Sequence, residues 1–458
     1  MEILILVVFV LGYTFIALEH PVHIDKAATA LITGVVSWGV FVLGADVVPA
    51  HLMAEFTAFS QNYIGDPSII QSIFYEHRLL HHMEEIASIL FFLMGAMTIV
   101  ELVDAHEGFA VITDRIKTKN KVKLLWIIGV LTFFFSAALD NLTTTIVMIS
   151  LLRKLIEDKE TRWFYVGMVV VAANAGGAWS PIGDVTTTML WIGNQLSTGV
   201  IISNLFIPSV VCLLVPLLVL SFTMKGEVQR PVKVNELEHC LEPTSTFERN
   251  LVFSVGVLGL LFVPIFKTVT HLPPFMGMML SLGVLWTLTE ILHKNKNTET
   301  KSHLSVVGVL RQIDVASVLF FLGILLAVAA LAEVGHLLVM ADWLRNELDN
   351  IYAINIAIGM LSSIVDNVPL VAASMGMYDV APVGSTGWDS FFVQDGKFWQ
   401  FLAYCAGTGG SALIIGSAAG VAAMGLERID FIWYLKRISL LAILGYFAGA
   451  FVYILMYA

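Results

Sequence analysis

Charged residues are scarce in this chain. Lys, Arg, Asp and Glu together make up 13% of its 458 residues, whereas 57% are hydrophobic. The formal net charge of −11 argues against a nucleic-acid partner. A composition of this kind, arranged in many long apolar runs, is typical of a membrane protein that crosses the bilayer repeatedly.

Cysteine is nearly absent as well. Cys212, Cys240 and Cys405 show no CxxC spacing and no paired framework, so the sequence predicts neither a metal centre nor a disulfide scaffold. It also lacks a Walker, Rossmann or nucleophile-elbow pattern. We therefore expect no cofactor, no ATP-driven step and no enzymatic reaction.

Long apolar runs are what the chain has in abundance. Ten of them are able to cross a bilayer, near 2–19, 27–47, 86–103, 163–195, 200–223, 250–267, 275–292, 314–333, 398–425 and 438–457. Two further apolar segments, 124–152 and 351–378, are too short for two full crossings, which need about 40 residues. We predict that both are re-entrant hairpins.

The flanks of the two hairpins differ in charge. The basic run RIKTKNKVK precedes 124–152 and four more basic residues follow it between 153 and 162, so both ends of this hairpin are predicted to be cytoplasmic. The flanks of 351–378 contain few basic residues, so its ends are predicted to lie outside. This topology places all Lys and Arg residues in the cytoplasm except Arg78, Lys267, Arg345 and Lys397.

Each hairpin contains an Asp-Asn pair near its predicted tip, in SAALDNLTTTIVM (136–148) and in SSIVDNVPLVAA (362–373). The pairs are Asp140-Asn141 and Asp366-Asn367. A carboxylate inside hydrocarbon is costly, so it is a functional-site hypothesis by default. A helix N-cap or a paired polar residue would explain either Asp alone, but two matching contexts favour one site built from two halves.

The internal similarity extends beyond these pairs. Residues 173–184 (ANAGGAWSPIGD) match 406–417 (AGTGGSALIIGS), and 85–93 match 314–322. We therefore predict an all-α polytopic membrane protein of two inverted repeats, each with five crossings, a hairpin and a broken helix. The repeats are 1–224 and 250–458, and 225–249 is a cytoplasmic linker.

Two of the predicted crossings, 163–195 and 398–425, contain Gly-rich stretches that weaken a helix. We expect both helices to be broken there. Unwound backbone at membrane depth is tolerated where it lines a site, and its free carbonyls are ligands for a hard cation. Close helix packing through small residues is the alternative explanation.

The polar side chains that this topology brings together nearly all offer oxygen atoms as metal ligands. From the two halves they are Ser136, Asp140, Asn141, Thr143, Thr144, Asn174, Asp184, Thr186 and Thr187, and then Ser362, Asp366, Asn367, Thr408 and Ser411. Oxygen ligands suit hard ions rather than soft metals, so we place Na⁺ at the two Asp-Asn pairs. Asp184 has a neutral counterpart, Ser417, so the alternative for Asp184 is that it caps the second part of its broken helix rather than binding an ion.

The same acids provide a route to proton coupling. Burial favours the protonated form of a carboxylate and a bound cation favours the ionised form, so one Asp can hold either a proton or an ion. The half of the site that contains Asp140 has more hydroxyl and acidic groups than the half that contains Asp366. We expect the tighter ion site there, and only a proton at Asp366.

The segments LDNLTTTIVM and NAGGAWSPIGDVTTT resemble those of NhaD-type sodium/proton antiporters, within the ion transporter superfamily. The resemblance covers both halves of the chain. It implies Na⁺ and Li⁺ as substrates exchanged for H⁺, an elevator-like movement of hairpins and broken helices, and a homodimer. We expect the protein to lie in a bacterial inner membrane.

Dicarboxylate symporters of the same superfamily have Ser-Asn-Thr at the hairpin tips, where this chain has Leu-Asp-Asn and Val-Asp-Asn. Two carboxylates with no basic residue in these segments oppose an anionic substrate. A sodium-coupled organic-acid symporter stays open as a rival function, as does a cation channel, although broken helices in a repeat favour a transporter.

A histidine cluster lies at the outer end of the third crossing, in EHRLLHHMEE. His77, His81 and His82, with Glu84 and Glu85, are candidates for pH sensing because His titrates near neutral pH. A solvated interfacial helix is the alternative.

Overall fold

The computed structural model describes residues 2–17, 19–44, 48–64, 66–113, 116–231, 244–294, 296–297, 301 and 304–457. Part of the predicted linker 225–249, including Cys240, lies outside the described residues. Within them the fold is helical, with two isolated β-bridges and no longer strand. The prediction of an all-α polytopic membrane protein is confirmed.

The helices of the first part of the chain are α1 (Glu2–Ala17), α2 (Glu19–Val22), α3 (Lys26–Gly44), α4 (Met53–Ser60), α5 (Pro67–Ala105), α6 (Ala110–Thr113), α7 (Lys121–Leu139), α8 (Asn141–Leu155), α9 (Lys159–Gly177), α10 (Val185–Ile192) and α11 (Thr198–Thr223).

Those of the second part, among the described residues, are α12 (Thr246–Thr270), α13 (Pro274–Leu292), α14 (Val306–Val309), α15 (Val315–Val334), α16 (His336–Leu348), α17 (Ile351–Leu361), α18 (Asn367–Met377), α19 (Lys397–Gly409), α20 (Ala418–Glu427), α21 (Phe431–Arg437) and α22 (Ser439–Tyr457).

Eight described helices are long and apolar enough to cross a membrane: α3, α5, α7, α11, α12, α13, α15 and α22. Three predicted crossings are missing from this set. Helix α1, in the predicted crossing 2–19, has 16 residues and is too short, and 163–195 and 398–425 are each interrupted, between α9 and α10 and between α19 and α20. Helix α7 belongs to the set although it lies in the first predicted hairpin. Its return arm, α8, has 15 residues, which is short of the roughly 20 that a crossing needs.

Local capping explains several helix starts. The Asn120 side chain accepts a hydrogen bond from Lys123 N (3.0 Å) at the start of α7, and Asp158 accepts one from Thr161 N (2.7 Å) at the start of α9. At α12, Ser245 and Glu248 form a reciprocal capping box. Each side chain satisfies a backbone N–H group that has no partner within the helix.

The chain divides into two compact units, and each contains segments from both predicted repeats. The first comprises 1–91, 314–351 and 368–380. Its core is formed where α3 packs on α15, and the indole of Trp38 donates a hydrogen bond to Leu326 O (2.9 Å) there.

The second unit comprises 92–313, 352–367 and 381–458. Helices α7, α9, α11, α19 and α22 form its core. Polar side chains tie these helices together at a few points: Trp126 Nε1 donates to Ser221 Oγ (2.8 Å), and Tyr404 Oη donates to Tyr446 O (2.8 Å). This unit contains every candidate ion-binding residue.

Candidate functional site

The turn between α7 and α8 lies at Asp140, whose φ of 84° is rare for a residue with a side chain. Its carboxylate accepts hydrogen bonds from Thr143 N (2.7 Å) and Thr143 Oγ1 (2.9 Å), so Asp140 is the N-cap of α8. The positive end of the helix dipole favours a carboxylate at this position. A strained backbone fixed by its own cap is the kind of local feature found at functional sites.

The interruption of the first broken helix lies between Gly177 and Val185. Asp184 caps the start of α10, where its Oδ1 accepts from Thr186 N (2.9 Å) and Thr186 Oγ1 (2.7 Å). The residue is 1% exposed. The sequence-based prediction that Asp184 is a cap therefore agrees with the structure, but the carboxylate also has a second role.

That second role is a hydrogen-bond network between hairpin and broken helix. Asn141 Nδ2 donates to Asp184 Oδ2 (2.6 Å) and to Asn174 Oδ1 (3.0 Å). Asn174 Nδ2 in turn donates to Ser411 Oγ and Ser417 Oγ, both at 2.9 Å. Asn174 thus joins residues from the two halves of the sequence in one buried polar centre.

The two halves make matching contacts around this centre. Ser136 Oγ donates to Ala173 O (2.6 Å), and Ser362 Oγ donates to Ala406 O (3.0 Å). In each half, a side-chain hydroxyl near the end of a hairpin arm binds a carbonyl of the broken helix. The helices that approach each other here therefore have the same local arrangement in both halves.

Glycine permits this approach at two equivalent positions. A Cβ atom on Gly176 would collide with the carbonyl of Phe133, and one on Gly409 would collide with the carbonyl of Gly359. Backbone, unlike a flexible side chain, cannot move aside. The Gly-rich stretches therefore bring each broken helix against a hairpin arm, in addition to interrupting the helix.

In the second half, Ser417 is the counterpart of Asp184. It caps α20 by accepting from Gly420 N (3.2 Å), with backbone angles close to those of Asp184. Asp366 lies close enough to Asp184 for their charges to repel. The Asn367 amide approaches the same carboxylate, yet its Nδ2 is buried without a hydrogen-bond partner.

The other predicted ligands contribute unevenly. Thr187 Oγ1 donates to Asp184 O (2.9 Å), and Thr408 Oγ1 donates to Tyr404 O (2.6 Å) within its own helix. Thr144 Oγ1 is buried without a hydrogen-bond partner, while Thr143 forms hydrogen bonds with Asp140. Hydroxyls bound to carbonyls can still accept from another donor or contact a cation.

The electrostatics of the centre are dominated by acids. Asp140 and Asp366 both lie near enough to Asp184 for charge repulsion. Within the described residues, neither Asp140 nor Asp184 forms an ion pair with Lys or Arg. A buried carboxylate that has no cationic side chain needs a proton or a metal ion for charge balance.

The polar atoms of this centre that could contact an ion are mainly oxygens. No cluster of three or more His, Cys, Asp and Glu side chains able to hold a metal occurs in the described parts of the chain. Any ion at this centre would therefore be bound by a mixture of carboxylate, amide, hydroxyl and carbonyl oxygens, as hard cations prefer.

The histidine cluster belongs to the first unit and is only partly assembled into a network. His82 Nε2 lies 2.7 Å from Glu333 Oε1, and Arg78 binds the same carboxylate through Nη2 (2.6 Å). His81 and Glu85 are separated by 3.9 Å and are largely exposed, and His77 stacks on Phe59. Glu84 is exposed.

Sequence reasoning named Ser417 only as the neutral counterpart of Asp184 and did not select it as a site residue. It also did not select Glu333, which is the partner of His82 in the histidine cluster. Glu333 is an acid near the end of an apolar run, which was an available signal, and it is 1% exposed.

Together, the fold and this buried acidic centre define a multi-pass α-helical membrane transporter. A family model described as "Citrate transporter" (CitMHS) matches residues 13–392. The chain is 46% identical to sodium/proton antiporter 1 of Arabidopsis thaliana, across 99% of this chain and 72% of that protein. It is 44% identical to sodium/proton antiporter 2 of the same plant, across 97% of both.

A bacterial protein shows the same relationship. The chain is 30% identical to the Na⁺/H⁺ antiporter NhaD of Vibrio cholerae serotype O1, across 98% of this chain and 91% of that protein. The chain belongs to the CitMHS transporter family and to the family of NhaD-type sodium/proton antiporters.

Proposed function

We propose that this protein exchanges Na⁺ for H⁺ across a membrane. The observation that carries the proposal is the position of Asp184: a carboxylate that is 1% exposed, lies near Asp140 and Asp366, and has no Lys or Arg partner among the described residues. Such a group is stable when it holds a proton or faces a cation, and it cannot easily be left without either. The names of the relatives support the same exchange.

Exchange follows if the two ions compete for the same oxygens. In the proton-loaded form, an Asp carboxyl is neutral and the repulsion within the acidic centre is lower. Na⁺ binding replaces the proton and adds contacts with Asn and hydroxyl oxygens. We propose that Asp140, Asn141, Asp366 and Asn367 bind Na⁺ together with Asp184, and that Li⁺ is accepted as well.

The physiological setting forms part of the proposal. We propose sodium extrusion and pH homeostasis, a homodimer, an elevator-like movement of hairpins and broken helices, and the inverted arrangement of the repeats 1–224 and 250–458. A bacterial inner membrane, with the linker 225–249 in the cytoplasm, is the proposed location, and the relatives come from both plants and bacteria. No cofactor or enzymatic reaction is needed.

An organic-acid symporter is the second candidate, because the matching family model is described as a citrate transporter. Its substrate would be a carboxylate. The acidic centre would repel such an anion unless enough cations entered with it. Uptake of labelled citrate or succinate in proteoliposomes, driven by a Na⁺ gradient, would support this function.

Na⁺/H⁺ exchange is tested in proteoliposomes that contain a pH-sensitive dye and carry a preformed pH gradient. Added Na⁺ collapses the gradient in the wild type, and Asp140→Asn and Asp366→Asn abolish the response. Asp430→Asn is the matched control, because Asp430 is an exposed N-cap of α21 outside the site. Full exchange in both site variants would overturn the proposal.

A further inference from the structure

A cavity of about 630 Å³ lies behind the tip of the first hairpin. Its walls are the end of α7, the segment 179–182 that interrupts the broken helix, the start of α11 and one side of α12, together with Phe109. Ser180 Oγ donates to Ala137 O (2.5 Å) and fastens two of these walls together. Leu139 adjoins Asp140, and Ile182 is two residues before Asp184, so the cavity forms the back of the acidic centre.

The lining of the cavity is almost entirely apolar. Aromatic rings, including Trp179 and Phe253, and aliphatic side chains form most of it. Three hydroxyl residues, Ser180, Thr198 and Thr268, line it; Ser180 is bound to Ala137, and Thr268 donates to Pro264 O (2.8 Å). A buried water needs two to four polar partners, and apolar cavities stay dry or take up hydrocarbon.

The residues at the rim of the cavity indicate whether the cavity opens towards water or towards lipid. Leu261, Ile265 and Val269 of α12 line the cavity and are 47%, 59% and 72% exposed, and Phe134 of α7 is 51% exposed. Both helices are apolar and long enough to cross a membrane. Apolar side chains that are exposed on such helices face the hydrocarbon of the bilayer. The cavity is therefore bordered by lipid.

We propose that this cavity is a binding site for one acyl chain of a bilayer lipid. A cavity of roughly 150 Å³ holds one benzene ring, so this one has space for a chain on the order of twenty carbons. The bound chain would support the hairpin tip and the segment 179–182 from behind. Its effect on ion exchange depends on the proposed function, whereas its binding does not.

Trp179 provides a probe inside the site. Its ring contacts Phe133 and Phe206, and its Nε1 is buried without a hydrogen-bond partner. In vesicles of phosphatidylcholine with brominated acyl chains, bromine quenches indole fluorescence on contact. The contribution of Trp179 is the difference between wild type and Trp179→Phe. We expect brominated lipid to reduce this difference at least twofold relative to the unbrominated lipid.

Variants that fill the cavity complete the test. Ala138→Phe with Val257→Phe should restore most of the Trp179 signal, and Ile265→Phe at the rim should restore part of it. Leu258→Phe is the matched control, since Leu258 is 64% exposed on α12 and does not line the cavity. It should leave the quenching unchanged.

Two results would overturn the proposal: no quenching of Trp179 by brominated chains, or equal quenching in the filled and unfilled proteins. Ile265→Phe alone decides the second point if the double variant does not fold. The assay contains no ion gradient, so a negative result leaves Na⁺/H⁺ exchange standing. Loss of exchange likewise leaves the lipid site standing.

Discussion

The buried acids of this protein fall into two groups that differ in their partners. Glu333 is bound by Arg78 and faces His82, and Glu427 accepts from Arg153 Nε (2.6 Å) and Arg162 Nε (2.8 Å). Asp140 and Asp184 of the candidate site instead accept hydrogen bonds from neutral donors, and neither has a Lys or Arg partner among the described residues. The paired acids hold helices together, while the site acids leave a negative charge to be balanced by an ion from solution.

The two halves of the site differ as well, in their acidic charge and in their backbone conformation. The first half contributes Asp140 and Asp184, and Asn141 binds Asp184 directly. The second contributes Asp366, with the neutral Ser417 at the equivalent capping position. Asp140 has a positive φ, whereas Asp366 is not among the described residues that do. The acidic charge and the backbone strain are thus concentrated in the first half, where we expect the tighter ion site.

Among the further substitutions that compare the two groups of acids, Asp184→Asn should have the largest effect. The neutral amide removes the charge and replaces a charge-assisted hydrogen bond worth up to about 3 kcal/mol, which corresponds to roughly 100-fold in apparent Na⁺ affinity. The thermal stability of the same variant should stay equal or rise, because repulsion with Asp140 and Asp366 is relieved. Na⁺-dependent exchange and the melting temperature are measured on one preparation. Lower thermal stability together with normal Na⁺-dependent exchange would contradict this expectation, because it would place Asp184 with the acids that hold helices together.

Glu427→Gln should show the opposite pattern. It leaves Arg153 and Arg162 beside a neutral group at a position that is 4% exposed. The loss of stability should stay below that of a fully buried pair, about 3–5 kcal/mol, because the Arg153 side chain is 46% exposed. We expect a melting temperature lower by several degrees and an unchanged Na⁺ half-saturation concentration. Glu427→Asp should recover part of the stability. A selective change in Na⁺ affinity would show that Glu427 belongs to the ion site.

Asn174→Ala tests the link between the two halves. The variant removes the acceptor of Asn141 and the donor to Ser411 and Ser417, so the Na⁺ half-saturation concentration should rise about tenfold, as expected for one or two hydrogen bonds. Asn355→Ala, which alters a buried Asn that donates to Phe398 O, is the control. Equal effects of the two variants would mean that Asn174 has only a structural role.

The smallest expected effect concerns His106 and His293, just beyond the ends of α5 and α13. Their Nε2 atoms are 3.1 Å apart, and His106 Nδ1 must donate to Leu102 O (2.6 Å), so His293 Nε2 donates to His106 in the neutral pair. Burial lowers the pKa of both, that of His293 to about 4, and the charge of Lys296 acts in the same direction, although Glu248 and Glu290 oppose it.

The sign of the pH dependence follows from these values. Between about pH 6.5 and pH 4 the unfolded chain binds protons that the folded pair rejects, so this contribution to stability is complete above pH 6.5 and is lost as the pH falls. His293→Asn should flatten the decrease in melting temperature between pH 7 and pH 5. The exposed His81→Asn serves as the control. If the melting temperature falls with pH equally in His293→Asn and His81→Asn, the pH dependence does not come from the His106–His293 pair.

The fold class was predictable because long apolar runs leave few structural choices in a bilayer. The break at Asp140 and the interruptions after Gly177 and Gly409 lie in segments that the sequence singled out by polar and Gly residues. The role of α7 was harder to predict, since its 19 residues have the length of a crossing as well as that of a hairpin arm.

Specific partners could not be predicted. Arg78 and Glu333 are separated by 255 residues, and Asn174 and Ser417 by 243. Periodicity within a helix carries no information on which distant helix lies against it. The repeat aligned equivalent positions, such as Asp184 and Ser417, but the hydrogen bond that crosses between the halves depends on their packing.

The central claim is that Na⁺ and H⁺ compete for the same buried carboxylates. It is tested most directly by measuring the Na⁺ dissociation constant of the purified protein by calorimetry from pH 9 to pH 5. The account predicts that binding weakens about tenfold for each unit of falling pH once the site is protonated, and that Asp184→Asn reduces this slope. A Na⁺ affinity independent of pH, with no proton released on binding, would contradict it.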